Sequence, residues 1–217
     1  MTISGETVAI IGTGNLGSRL AAGFAAGGQD FLLAGRDLEA TSKLASDLDG
    51  RATALSVDEA VERADVLVFA VWFDVSKQLI AQYGERLAGK MIVDPSNPVA
   101  PDGNGGFQKI IGEQESSGQI LAGLLPAGAE LVKAFGTLSA DTLSAAQRRE
   151  PERAVLFYAA DDAGAGDLVA DLIRTGGYEP VRVGGLDQSI RLEVFGDLHE
   201  YGALGRVVTK AEALKAI

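Results

Sequence analysis

Six consecutive residues, Gly12-Thr13-Gly14-Asn15-Leu16-Gly17, carry the spacing G-x-G-x-x-G, a pattern that can hold a pyrophosphate. Gly12 permits a tight turn out of a strand. Gly14 lets the backbone approach phosphate with no side chain between them, and Gly17 lets a helix pack close to the strand. The first turn of a helix opening there offers unpaired N–H groups and the positive end of its dipole. A glycine pattern alone is weak evidence in a chain with 28 glycines. Here Val8-Ala9-Ile10-Ile11 reads as a strand before it, 18–27 as a helix after it, and Phe31-Leu32-Leu33-Ala34 as a second strand. That context makes dinucleotide binding the stronger reading.

The end of the second strand separates the two nicotinamide dinucleotides. NAD sites place an acid there for the ribose 2′-OH, whereas NADP sites replace it and supply a cation for the 2′-phosphate. The sequence reads Ala34-Gly35-Arg36-Asp37, with Gly35 in the acid's place and Arg36 beside it. An arginine fork can hold a phosphate bidentately or stack on adenine. Asp37 would repel a phosphate if it pointed inward, but it can instead cap the following helix. NADP is the expected cofactor.

Other residues carry weaker signals. His199 is the single histidine, and a lone helical histidine is more often structural than catalytic. Trp72, the single tryptophan, stands at the carboxyl end of a strand and so is placed to face a ligand. Lys133 reads either as an exposed edge lysine or as a pocket cation, and Arg191 with Glu193 as a surface pair. No H-x-x-x-H or clustered acidic pattern points to a metal. No catalytic acid, base or nucleophile is assigned.

The elements that must position these residues follow in order. After Arg36, 37–48 reads as a helix, 52–55 as a strand, and 57–63 as a short helix with Ser56 as its N-cap. The run 65–71 is a nearly unbroken apolar strand, as expected of a parallel strand covered on both faces. A helix over 74–83 and a strand over 91–94 come next. The prolines and glycines of 95–106 read as a loop, leaving a strand's carboxyl end where ligands bind in open α/β sheets. Beyond it, 119–125 reads as helix, 131–135 as strand, 139–149 as helix, 154–159 as strand, 163–175 as helix and 178–183 as the last strand. Alternation of this kind indicates an α/β fold: a Rossmann-like, doubly wound, mostly parallel sheet. Residues 1–186 are expected to form the nucleotide-binding domain. Residues 187–217 are expected to be a short C-terminal helical extension of the same unit, with Ile190, Val194, Leu198, Tyr201 and Leu204 as one stripe.

Composition limits the function classes. Of 217 residues, 47% are hydrophobic and 23% charged, which suits a packed soluble core. A net charge of −11 argues against nucleic acid and against an anionic membrane as partners. With no cysteine, there is no disulfide, thiolate nucleophile or iron–sulfur ligand. Residues 1–7 do not read as a basic-then-apolar leader, and no run approaches the roughly 20 apolar residues of a spanning helix. A cytoplasmic protein is the expectation.

Taken together, the turn 12–17, Gly35-Arg36, Lys133-Ala134-Phe135-Gly136-Thr137-Leu138 and Gly184-Gly185-Leu186 resemble the F420-dependent NADP oxidoreductase family. They also resemble the cytosolic reductase domain of the membrane ferric reductases. The first family moves hydride between NADP(H) and the deazaflavin coenzyme F420; the second carries flavin. The resemblance implies that Thr13, Gly14, Asn15 and Leu16 contact the pyrophosphate and Arg36 the 2′-phosphate. It implies that Ala70, Val71 and Trp72 run beside the nicotinamide half. Asn97, Pro98, Phe135, Gly136 and Thr137 would line the facing pocket. This chain departs in having Gly35 where serine is frequent, Ala40 where a further basic residue is frequent (Lys43 could substitute), and Trp72 where proline is common.

Hydride transfer between two flat cofactors needs stacking and a dry site more than a protein acid or base. A small-molecule redox acceptor, with F420 as the leading candidate, is therefore expected. The alternatives are a flavin, quinone or small carbonyl acceptor, or a module that binds NADP(H) and transfers nothing. The tail stripe suggests a homodimer.

Overall fold

Short apolar runs build the centre of the sheet. In the computed structural model, which describes residues 5–217, β1 (Val8–Ile11), β2 (Phe31–Ala34), β3 (Ala52–Leu55), β4 (Val66–Phe69) and β5 (Met91–Asp94) lie parallel. The leader reading of residues 1–7 falls, for 1–4, outside the described residues. The register sets Ala9 beside Leu32 and Leu67, and Ile10 beside Leu33 and Val68. β1, β2 and β4 are buried on both faces, as unbroken apolar runs require, whereas β3, at the sheet edge, is half-buried to exposed.

Between them run α1 (Asn15–Ala26), α2 (Leu38–Ser46), α3 (Val57–Arg63) and α4 (Phe73–Tyr83). α2 and α3 start at side-chain caps, whereas α1 and α4 start at Gly14 and Trp72 without one. The Asp37 carboxylate accepts from Ala40 N at 3.0 Å, so it caps α2 and points away from the strand end. Ser56 and Glu59 form a capping box at α3.

The second half comprises β6 (Val99–Pro101), β7 (Phe107–Lys109), α5 (Ser117–Ala122), β8 (Glu130–Lys133), α6 (Ala140–Ala146), β9 (Val155–Ala160), α7 (Ala163–Thr175) and β10 (Glu179–Arg182). Eight strands are ordered β10-β9-β8-β5-β4-β1-β2-β3. β9 runs antiparallel to β8, and β10 parallel to β9, so the sheet is mostly parallel. Chain direction across the sheet reverses between β1 and β4, the crevice where open α/β sheets bind ligands. One face is covered by α1, α6 and α7 through Phe24, Leu143 and Val169; the other by α3, α4 and α5 through Val61, Ile80 and Leu121. Among the described residues, no helix is long and apolar enough to cross a membrane.

Two expectations change. The stretch 95–106 is not wholly a loop: β6 lies within it and pairs antiparallel with β7, setting Val99 against Lys109 and Pro101 against Phe107. Asp102 Oδ1 shapes the turn by accepting from Asn104 N (2.8 Å) and Gly106 N (2.9 Å). A three-residue strand ending in proline leaves almost no periodic signal.

The tail is not one helix. It contains a 3-10 turn at Leu186–Gln188, α8 (Ser189–Leu192) and α9 (Lys210–Ala213), with turns between. Phe195 takes φ 74°, and a Cβ on Gly202 would strike the Gly196 carbonyl, so backbone packs on backbone where the helix was expected. The stripe therefore divides. Leu198 is buried; Ile190, Val194 and Leu204 are half-buried; Tyr201 is exposed. Leu192, Leu198, Val208 and Ala213 cover Val155, Phe157 and Val181 on β9 and β10.

Candidate functional site

The glycine turn sits in the crevice between β1 and β4. Gly12 takes φ 112°, and a Cβ on it would strike the Ala70 carbonyl and the Val71 side chain. A Cβ on Gly17 would strike the Gly12 carbonyl. Both positions are closed to larger residues by backbone contact. Gly14 differs: nothing lies within 4 Å of where its Cβ would be. It caps α1 without a side-chain bond, and the first turn of that 12-residue helix carries no acid. Gly14 and Asn15 are exposed, and Thr13 and Leu16 half-buried, so the N–H groups of this turn face open space. An anion fits this cradle.

At the end of β2, a Cβ on Gly35 would lie 2.8 Å from the hydroxyls of both Thr13 and Thr41. A side chain there would have to displace the Thr13 and Thr41 hydroxyls. Arg36 is exposed and makes no hydrogen bond or ion pair among the described residues. Lys43, in the last turn of α2, is exposed, and so is Ala40. Asp37 Oδ1 is occupied as a cap, and Arg36 beside it is an unpaired cation among the described residues.

The facing wall is built from the loops after β5 and β8. Asn97 Nδ2 donates to Gly136 O at 3.1 Å, and Val194 N donates to Asn97 Oδ1 at 2.7 Å. A Cβ on Gly136 would lie 2.6 Å from Pro95 O, so these loops touch. Pro98 and Thr137 are buried beside them, and Thr137 O accepts from Glu200 N at 3.1 Å. Phe135 joins this wall by its backbone only. Its φ is 64°, and its ring turns into the core, 5.9 Å edge-on from Phe24.

Beneath the wall lies a buried polar cluster. β8 is an interior strand, so Lys133 is neither an exposed edge lysine nor a free pocket cation. Its ammonium donates to Asp94 Oδ2 (2.6 Å), Ser117 Oγ (2.8 Å) and the Ser96 carbonyl. Glu193 is not paired with Arg191. It is buried, and its Oε1 accepts from Ser117 Oγ (2.9 Å) and Gly118 N (3.2 Å); Arg191 instead grips Asp197 at 2.8 Å. Glu193 Oε2, Ser96 Oγ, Ser189 Oγ and Thr137 Oγ1 are buried without a partner among the described residues. The sequence marked Lys133 and the strand end before Pro95, read Glu193 only as half of a surface pair, and did not mark Ser117.

His199 lies in a turn, buried against the same wall. Burial depresses its pKa to about 4, Lys133 acts in the same direction, and Glu200 and the Gly136 backbone oppose them. Tyr201 N donates to His199 Nδ1 at 3.0 Å, so the ring is neutral with Nδ1 as acceptor. This histidine serves the turn and is not offered to a substrate.

Trp72 leaves β4 just after Ala70 and Val71 and caps α4. Ala70 and Val71 touch the glycine turn, whereas Trp72 lines a cleft of about 200 Å³ with Phe73, Asp74, Val99, Ala100, Pro101 and Ile110.

Known proteins resemble this arrangement. The model of the family described as NADP oxidoreductase, coenzyme F420-dependent, matches residues 7–98. The metalloreductase STEAP3 of Rattus norvegicus is 30% identical over 186 residues, covering 86% of this chain but 35% of that protein. The chain thus spans about a third of that relative. The F420-dependent NADP reductase of Methanothermobacter thermautotrophicus is 28% identical over 198 residues, covering 86% of this chain and 84% of that protein. The crystal structure of a hypothetical protein from Sinorhizobium meliloti superposes with a TM-score of 0.82 at 29% identity, covering 95% of this chain and 97% of that one. Over residues 7–98, which take in the crevice from β1 to the loop after β5, the chain is similar to the NADP-dependent oxidoreductases described as coenzyme F420-dependent.

Proposed function

We propose that the protein is an NADPH-dependent oxidoreductase that exchanges hydride between NADP(H) and the deazaflavin coenzyme F420. The observation that carries the cofactor half is the strand end of β2: Gly35 stands in the acid's place, crowded by the Thr13 and Thr41 hydroxyls, and Arg36 is exposed and unpaired among the described residues. Thr13, Gly14, Asn15 and Leu16 would hold the pyrophosphate through backbone N–H groups, on a turn that Gly12 and Gly17 shape, with Arg36 on the 2′-phosphate. Ala70 and Val71 would flank the nicotinamide half. The F420 half is supported by the family description and by the Methanothermobacter relative, which matches over most of its length.

When bound, NADPH supplies a hydride, and the acceptor takes up one proton besides. The chain's own part is to bind, orient and exclude water. Asn97 ties the loop after β5 to Gly136 and to the tail, which keeps Pro98, Gly136 and Thr137 as one wall. No side chain need move a proton, which agrees with a neutral, buried His199 whose Nδ1 is already engaged. The reading extends to a cytoplasmic homodimer acting on a small molecule.

The test follows NADPH absorbance with F420, FMN, a quinone and a simple ketone in turn. The expected outcome is fast turnover with F420. Faster turnover with FMN favours the flavin reading, and a preference for the ketone overturns both. Tight NADPH binding without turnover of any acceptor leaves a sensing module.

A further inference from the structure

Trp72 is the single tryptophan of the chain, and 59% of it is exposed. A large ring left open beside other exposed apolar groups marks a binding surface more often than a scattered surface residue does. Those neighbours are present: Phe107 and Ile110, at the hairpin's second strand, are exposed too.

The hairpin β6–β7 stands opposite Trp72. Val99, Pro101 and Ile110 face Phe73 and the indole across the 200 Å³ cleft. The hairpin is held at its base, where Ile110 N donates to Pro98 O at 2.9 Å, and at its tip by Asp102. Pro98 follows Asn97, so the cleft is fixed to the wall facing the crevice. At its other end, Trp72 follows Val71, whose side chain lies against Gly12. The cleft is therefore flanked by chain segments that lead directly to the nucleotide crevice and to its facing wall. Among the described residues, the one charge lining it is Asp74, which is paired with Lys77 at 2.8 Å, so nothing there attracts an ionic group.

We propose that this cleft is the subsite for the flat ring system of the second substrate. Trp72 selects extended aromatic acceptors of the isoalloxazine or deazaflavin class over small carbonyl compounds. The inference rests on the oxidoreductase reading and adds where the acceptor's ring lies. The cleft is smaller than the roughly 300–1,000 Å³ of pockets that enclose a whole ligand. It takes the apolar edge of the ring, while the reacting part extends past Val71 toward the crevice. An indole face is suited to stacking on such a ring, whereas a small ketone gains little from it.

The test is equilibrium dialysis of riboflavin and of F420 against the full chain, with and without saturating NADP⁺. It compares wild type, Trp72→Ala, Trp72→Phe and Ile110→Asp, with NADPH affinity measured on each. Trp72→Ala and Ile110→Asp are expected to weaken ring binding about tenfold, Trp72→Phe to retain most of it, and the NADPH affinity of Ile110→Asp to stay within about twofold. Unchanged ring binding in Trp72→Ala, or no ring binding by the wild type, overturns the subsite and leaves the NADPH reading standing. Parallel loss of NADPH affinity in Trp72→Ala assigns the indole to the nucleotide and also overturns it. A wild-type dimer that Ile110→Asp converts to monomer makes this face a subunit contact, which overturns the subsite as well. A wild type that binds riboflavin through Trp72 but not NADPH defeats the oxidoreductase reading and keeps the subsite.

Discussion

Arg36 is the residue on which the choice of cofactor turns. It follows Gly35, whose Cβ position is crowded by the hydroxyls of Thr13 and Thr41, and no partner among the described residues competes for it. Arg36→Ala should weaken NADPH binding by roughly 1–3 kcal/mol, the scale of a charge-assisted contact, and leave NADH binding nearly unchanged. Calorimetric titration with both nucleotides checks this; equal losses remove Arg36 from the 2′-phosphate. Gly14→Val should abolish binding of both while leaving the fold intact, because its Cβ direction opens into empty space that only the ligand would fill. His199 makes a prediction about pH. Its pKa is depressed by burial from 6.5 to about 4, so the unfolded chain binds the proton more tightly. Stability from this group is full above pH 6.5 and is lost as pH falls from there to about 4, by roughly 3 kcal/mol. Urea midpoints across that window should show the loss in wild type and a flatter profile in His199→Gln. An equally steep profile in the variant assigns the loss to other groups.

At the scale of elements, the facing wall depends on one buried cation. Lys133, on β8, is bonded to Asp94 at the end of β5, to the loop beyond it and to Ser117 in α5, which in turn holds Glu193 of the tail. Removing one member of a buried pair leaves charge without compensation, and the usual cost is roughly 3–5 kcal/mol. Lys133→Met should therefore destabilise the protein on that scale, and adding Asp94→Asn should recover part of the loss. Denaturant unfolding of the single and double variants measures it; a loss below about 1 kcal/mol would mean that solvent already reaches the cluster.

For the whole molecule, the tail behaves as part of the sheet domain. Leu192, Leu198 and Val208 bury one face of β9 and β10, so Leu198 is not available to a second subunit. Truncation after Gly185 should uncover Val155, Phe157 and Val181 and yield aggregating protein, not a clean nucleotide-binding monomer. Soluble truncated chain that still binds NADPH would contradict this. A homodimer built on the tail has the exposed Phe195, Tyr201 and Leu214 to use. Sedimentation of the full chain as a monomer at micromolar concentration would count against the proposed dimer.

What the sequence determined by itself is local. The glycine turn, the apolar strands, the Asp37 and Ser56 caps and the bounds of α7 each depend on residues a few positions apart, whose spacing can be read directly. The Gly35-Arg36 reading is local too, although the physical reason for Gly35, two threonine hydroxyls, appears only when β1 and β2 lie side by side. The tertiary structure decided the rest. Lys133 finds Asp94 39 residues away, and Ser117 finds Glu193 across 76. No periodicity encodes such pairs, because they form where strand ends happen to converge. The apolar stripe of the tail fitted helical spacing. It is met instead by turns, since glycines 196 and 202 allow backbone-on-backbone packing and the tail's apolar side chains pack on Val155, Phe157 and Val181 of β9 and β10. The Trp72 cleft belongs with these: its two sides are an indole at a strand end and a hairpin too short to leave a pattern, and only the fold sets them opposite one another.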